Sequence, residues 1–131
     1  MKKVIVLVAV CCLAVVAALF ISCDAGQKSS YQYIVALDES VDQDPSMSMQ
    51  FELNGLPVIE AEMKKSADQS GSTMIFKDTK SNADKRAKEA FAAGIAKLRE
   101  GGIGSYKGLI VVLKGMDNDT NKWNVIDKVT L

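Results

Sequence analysis

The stretch Met47-Ser-Met-Gln-Phe-Glu-Leu-Asn-Gly-Leu-Pro-Val-Ile-Glu-Ala-Glu-Met-Lys64 decides how many strands the chain has. Met47, Met49, Phe51 and Leu53 alternate with Ser48, Gln50 and Glu52, the period of a half-buried strand. Asn54-Gly55 is a hairpin signal, and 57–64 reads as the returning strand. A two-residue loop would set Met49 opposite Glu60. A three-residue loop pairs Leu53 with Pro57, Phe51 with Ile59, Met49 with Ala61 and Met47 with Met63, which gathers the apolar residues on one face. A one-residue slip flips every side chain, so burial selects the odd-length or bulged turn, with Gly55 at positive φ.

Working outward, Tyr31-Gln-Tyr-Ile-Val-Ala-Leu-Asp38 is rich in aromatic and branched residues and reads as a strand. Residues 39–46 hold Asp42, Asp44 and Pro45 and read as a loop, and 66–72 as a second, polar one. Residues 73–78 form a short strand. Ala83, Ala87, Ala90, Phe91, Gly94, Ile95 and Leu98 then fall on one helical stripe. Ser81 is the expected N-cap and Gly101 the C-terminal stop. Residues 105–114 contain Leu-Ile-Val-Val-Leu, apolar on both faces, and read as a central strand. A turn at 116–121 leads to a last strand at 123–131. The expected fold is α+β: an antiparallel sheet of five to six strands with one amphipathic helix on one face.

The first 23 residues carry an address. Met1-Lys2-Lys3 is a basic start, and Val4 to Ile21 is apolar throughout. The chain turns polar at Asp24, the three-part layout of an export signal. Leu19-Phe20-Ile21-Ser22-Cys23 resembles the lipobox of bacterial lipoproteins, with Phe20 and Ile21 departing from its commonest form. The resemblance implies cleavage after Ser22 and lipidation of Cys23. Two other readings compete. Eighteen apolar residues span about 27 Å as a helix, close to a hydrocarbon core of about 30 Å, so the run also fits an uncleaved anchor. Ordinary cleavage after Ala25 would use Cys23-Asp24-Ala25 as its small-x-small site. The expected organisation is an export signal at 1–22, a lipidated Cys23 with a flexible tether through 30, and one small domain at 31–131.

Composition excludes several chemistries. From Cys23 onward the chain has 14 Lys and Arg against 16 Asp and Glu, a net of −2, which gives no basic footprint for nucleic acid. Residues 24–62 carry one Lys and eight acids, and residues 63–131 carry 13 bases and eight acids. The two halves are expected to pair across one sheet. There is no histidine, hence no Ser-His or Cys-His nucleophile pair and no imidazole metal ligand. Besides Cys23, the only cysteines are Cys11 and Cys12, in the apolar run.

The remaining motifs each have a bland reading. Asp117, Asp119 and Asn121 match the first three positions of a calcium loop, but Lys122 and Lys128 stand where its Gly and bidentate Glu belong. A hairpin turn is the expectation, with no metal. Gly101-Gly102-Ile103-Gly104 follows a helix, the wrong side for a phosphate cradle. Glu52, Glu60 and Glu62 read as the wet face of the hairpin. Met47, Met49, Met63 and Met74 read as core, and Tyr31, Tyr33, Tyr106 and Trp123 as core or sheet-edge packing.

The functional expectation is an exported lipoprotein, anchored through lipid on Cys23 and facing the periplasm or cell exterior. Its domain is expected to bind a partner or support an envelope assembly, without catalysis or cofactor. One alternative is a small carboxylate-dependent enzyme of the envelope. Another is an inhibitory or structural partner protein on an uncleaved anchor. A deep pocket with a shifted carboxylate would mark the enzyme, and an exposed apolar patch the binding module.

Overall fold

The computed structural model describes residues 27–131; the export signal, Cys23 and residues 24–26 of the expected tether lie outside the described residues, and the tether's last two residues, Ser29 and Ser30, belong to the first strand instead. The fold is α+β, as expected: one five-stranded antiparallel sheet with a helical layer on one face. The strands are β1 (Ser29–Leu37), β2 (Gln69–Ser70), β3 (Met74–Asp78), β4 (Ile110–Asp117) and β5 (Lys122–Thr130), in the order β2-β3-β1-β4-β5. β1 is the middle strand. β4, expected at the centre, lies beside it and is interior. It begins five residues later than expected, because Gly104–Tyr106 forms a 3-10 turn. The polar loop at 66–72 contributes β2 as a short edge.

The stretch 47–64 is not a hairpin. Pro45–Gln50 (α1), a π-helical turn at Phe51–Gly55 and Leu56–Lys64 (α2) form one continuous helical arm. The start is a strong helix signal: the Asp44 carboxylate accepts N–H bonds from Ser46 and Met47, and Pro45 occupies the first turn. The core-facing set is Met47, Phe51, Gly55, Ile59 and Met63, spaced by four. In a straight α-helix that spacing overshoots by roughly 40° per step. The π turn, where Leu56 N–H reaches Phe51 O, lowers the twist and keeps the stripe in line. Gly55 therefore makes no turn. A Cβ there would meet the Phe51 ring at 2.8 Å and Tyr106 at 3.3 Å, and those two rings pack edge to face at 5.8 Å.

The second helix, α3 (Lys80–Glu100), has the stripe its sequence shows, with Ala83, Ala87, Ala90, Phe91, Gly94, Ile95 and Leu98 all buried. Its cap is Thr79 rather than Ser81; the Thr79 hydroxyl accepts the Asn82 N–H at 3.2 Å. Gly101 ends it, as expected. α2 and α3 lie side by side, and a Cβ on Gly94 would stand 2.8 Å from Ile59 Cγ2 and 3.0 Å from its carbonyl oxygen. The small residues of α3 thus admit the arm.

All strand residues of the hydrophobic core share one face of the sheet: Tyr33 and Val35, Met74 and Phe76, Val111 and Leu113. A bulge between Leu113 and Lys114 leaves Ile126 unpaired on β5, where it packs against the core and reaches Gly115. Beyond the bulge, Val125 and Trp123 pair with Lys114 and Met116, on the opposite face.

Candidate functional site

Three polar clusters hold the elements together. Arg86 on α3 reaches Asp68 Oδ2 at 3.2 Å, Asp78 Oδ2 at 3.5 Å and the Ser66 carbonyl at 3.1 Å, with its guanidinium over the Phe76 ring. It joins α3, β3 and the segment leaving α2. The Lys77 N–H, and then Arg86, hold the Asp68 carboxyl below the ordinary carboxylate value. The Thr79 N–H does the same for Asp78, and Asp68 raises Arg86. In the second cluster, Tyr33 on β1 donates its hydroxyl to Asp84 Oδ1 at 2.7 Å, and Lys80 pairs with the same carboxylate. Burial, and then that hydrogen bond, push the Tyr33 phenol well above its usual range.

The third cluster closes the far end of β1. Asp38 is 6% exposed, accepts the hydroxyl and N–H of Ser40, and pairs with Lys128 at 3.1 Å. The Ser40 hydroxyl, its N–H and Lys128 lower the Asp38 carboxyl from 3.8 to about 2. Because the folded value lies below the unfolded one, the stability tied to ionised Asp38 is present above about pH 4. It is lost as pH falls towards 2. Thermal melts across that window should fall less steeply for Asp38→Asn than for the wild type. Beside it, Gln43 Nε2 donates to the carbonyls of Asp38 and Ile110 while its Oε1 accepts the Ile110 N–H, so a side chain continues the β-ladder.

The structure scatters the residues singled out from sequence. Asp117 Oδ1 accepts the N–H groups of Asp119 and Thr120, and Asn121 takes φ 57, so 117–121 is the tight turn of the β4–β5 hairpin. Its carboxylate oxygen is thereby committed to the chain's own backbone. Glu52, Glu60 and Glu62 do not share a strand face; they lie on the helical arm, and Glu62 pairs with Lys65. Met63 and Met74 are core, Met47 packs against it, and Met49 is 63% exposed, contrary to the expectation for that residue. Tyr33 is fully buried, Tyr106 packs on Phe51, and Tyr31 packs against the core with Lys80 over its ring.

Two surfaces escaped sequence reasoning. On the outer side of the arm, Met49 and Leu53 are 63% and 68% exposed. Along residues 39–60 of the chain stand Glu39, Asp42, Asp44, Glu52 and Glu60, which form no ion pair among the described residues. Among the described residues, only Asp38–Lys128 joins the acidic first part of the chain to a base far along the sequence, so the expected ion pairing of the halves is there confined to that contact. The second surface is the sheet face away from the helices, which carries Ile34, Val112, Met116, Trp123 and Val125. The missed signal for the first was Asp44-Pro45, a helix start that would have turned Met49 and Leu53 outward. For the second it was strand parity, usable once one face is known to be covered.

The chain matches no family model, no curated protein and no solved structure in the three comparisons made with them.

Proposed function

We propose that the chain is an exported lipoprotein, anchored by lipid on Cys23, whose domain docks a partner protein of the cell envelope through the outer side of the Pro45–Lys64 arm. The observation that carries the docking is the exposure of Met49 and Leu53 one helical turn apart. Such an apolar pair within unpaired carboxylates suits a partner segment of apolar residues flanked by Lys or Arg. Non-catalytic work fits the polar clusters, since Asp38, Asp68, Asp78, Tyr33 and Arg86, the groups with shifted acidity among the described residues, tie elements together. The lipid reading rests on Cys23 standing after Ser22 where the apolar run meets Asp24.

Both parts are testable in cells. Palmitate should label the wild type and not Cys23→Ser, which should accumulate as a larger precursor; an unlabelled wild type held in the membrane would point to the uncleaved anchor. A photo-crosslinking residue at position 53 should give a discrete protein adduct that Glu52→Lys weakens. The same probe at exposed Lys88 on α3 should give none. Equal labelling at both positions would reject the arm as the docking surface.

A further inference from the structure

The uncovered face of the sheet has its own chemistry. Antiparallel partners share a face, so Ile34 with Lys114, Ala36 with Val112 and Lys128, and Met116 with Trp123 form one continuous surface. Lys77, opposite Ser30, belongs to it too. None of these side chains belongs to the cluster packed under the helices; Val112 is 0% exposed, and Ile34, Ala36, Lys114, Met116 and Trp123 around it are half-buried. Val125 beside Lys114 is 50% exposed. The carboxylate at its border, Asp38, is held by Lys128 at 3.1 Å. Lys77 and Lys114 have no ion-pair partner among the described residues. The face is therefore a half-buried apolar strip, open at Val125, with one aromatic and two lysines outside any ion pair among the described residues.

We infer that this face lies on an anionic lipid surface, with the helical layer turned away from the membrane. The inference rests on the reading of residues 1–23 as membrane-directed. Three further observations select lipid as the occupant. β1 begins at Ser29, six residues after Cys23, so even a fully extended link reaches only about 20 Å. The domain is thereby held beside the bilayer. Trp123 lies at the end of the sheet where the chain enters, since Asn118 in the adjoining turn donates to the Ser30 carbonyl at 3.1 Å. Tryptophan favours the membrane–water interface, and each lysine near an anionic surface adds about fivefold to binding. The acidic arm packs on the opposite face of the sheet, away from the anionic headgroups.

Trp123 is the only tryptophan, so its fluorescence reports this face alone. The test uses the full chain in vesicles of phosphatidylcholine, with or without phosphatidylglycerol, carrying acyl chains brominated near the headgroup. Flotation reads anchoring separately. The expected result is flotation with both vesicles and quenching of Trp123 only with phosphatidylglycerol. Added salt should relieve the quenching without releasing the protein. Lys77→Gln and Lys114→Gln should each weaken docking roughly fivefold. A protein that floats with Trp123 unquenched, as it would if an acidic protein occupied this face, overturns the lipid contact alone. Quenching equal in both vesicles, or indifferent to salt, overturns it as well. A chain that floats with neither vesicle overturns the membrane address, and this inference with it.

Discussion

Two helical segments share one face of the sheet and spend their apolar residues differently. α3 turns all its large apolar residues inward, so its outer side keeps charged residues and the small Ala92, Ala93 and Ala96. The Pro45–Lys64 arm turns Met47, Phe51, Ile59 and Met63 inward but leaves Met49 and Leu53 outside. A helix that keeps apolar residues on both sides has more greasy surface than its own core takes up. That surplus, on the more acidic of the two segments, is what separates a surface available to a partner from one that only supports the fold.

The strongest test of the comparison removes one buried ring from each segment. Phe51 and Phe91 are both 0% exposed. Phe91→Ala should cost about 3–5 kcal/mol in urea melts, and Phe51→Ala the same if the arm is docked as firmly as α3. Against a total of about 5–15 kcal/mol either loss is severe. A cost below about 1 kcal/mol for Phe51→Ala alone would mean that the arm is held loosely and opens on its own.

The next effect sits where the segments touch. Gly94→Ala brings a Cβ to 3.0 Å from the Ile59 backbone oxygen, which cannot swing aside. Overpacking of about 1–3 kcal/mol is offset by up to about 1 kcal/mol of helix propensity, so a net loss of about 1 kcal/mol is expected. Gly55→Ala brings a Cβ to 2.8 Å from the fully buried Phe51 ring and 3.3 Å from Tyr106, side chains rather than backbone, and should lose a comparable amount. Thermal melts of the pair would show whether the contact between the arm and α3 is tighter than the contact within the arm.

The start of each helix gives a smaller and more even contrast. Asp44 accepts two N–H groups and Thr79 one. Replacing either by Ala should cost about 0.5–2 kcal/mol, with Asp44→Ala the larger. If Thr79→Ala were clearly worse, the arm would owe its start to packing rather than to its cap.

The contrast also explains what was legible in the sequence. β1, β3 and α3 could be read because each has one period and one buried set, β4 because it is an unbroken apolar run, and β5 because it follows the turn at 117–121. In 47–64 the apolar residues other than Leu56 and Val58 fall at odd positions, and a spacing of four is also a multiple of two. The same letters therefore satisfy a strand with all of them inside and a helix with half of them inside. Asn54-Gly55 tips that balance towards a turn only if Gly55 needs positive φ, and here it serves the close approach of Phe51 and Tyr106. The π turn, which lets a spacing of four run true along a helix, has no sequence signature of its own. The polar clusters were illegible for another reason: Arg86 with Asp68, and Tyr33 with Asp84, meet only after the sheet and helix have packed. The candidates at Asp117, Asp119 and Asn121 were legible as a turn because Asx residues bond their own backbone locally.

The smallest expected effect discriminates best between the two readings of the arm. In a hairpin with the register described above, Leu53 shares the buried face with Phe51, and its loss would cost about 2–5 kcal/mol. In the helical arm Leu53 is 68% exposed. Leu53→Ser should then change stability by no more than about 0.5 kcal/mol, the range of surface substitutions. The same variant removes half of the exposed apolar pair, so it should weaken partner docking while the melt stays in place. A urea titration and the crosslinking experiment, run on this one variant, separate a residue kept for the fold from a residue kept for a partner. A large loss of stability would return Leu53 to the core and take the docking surface with it.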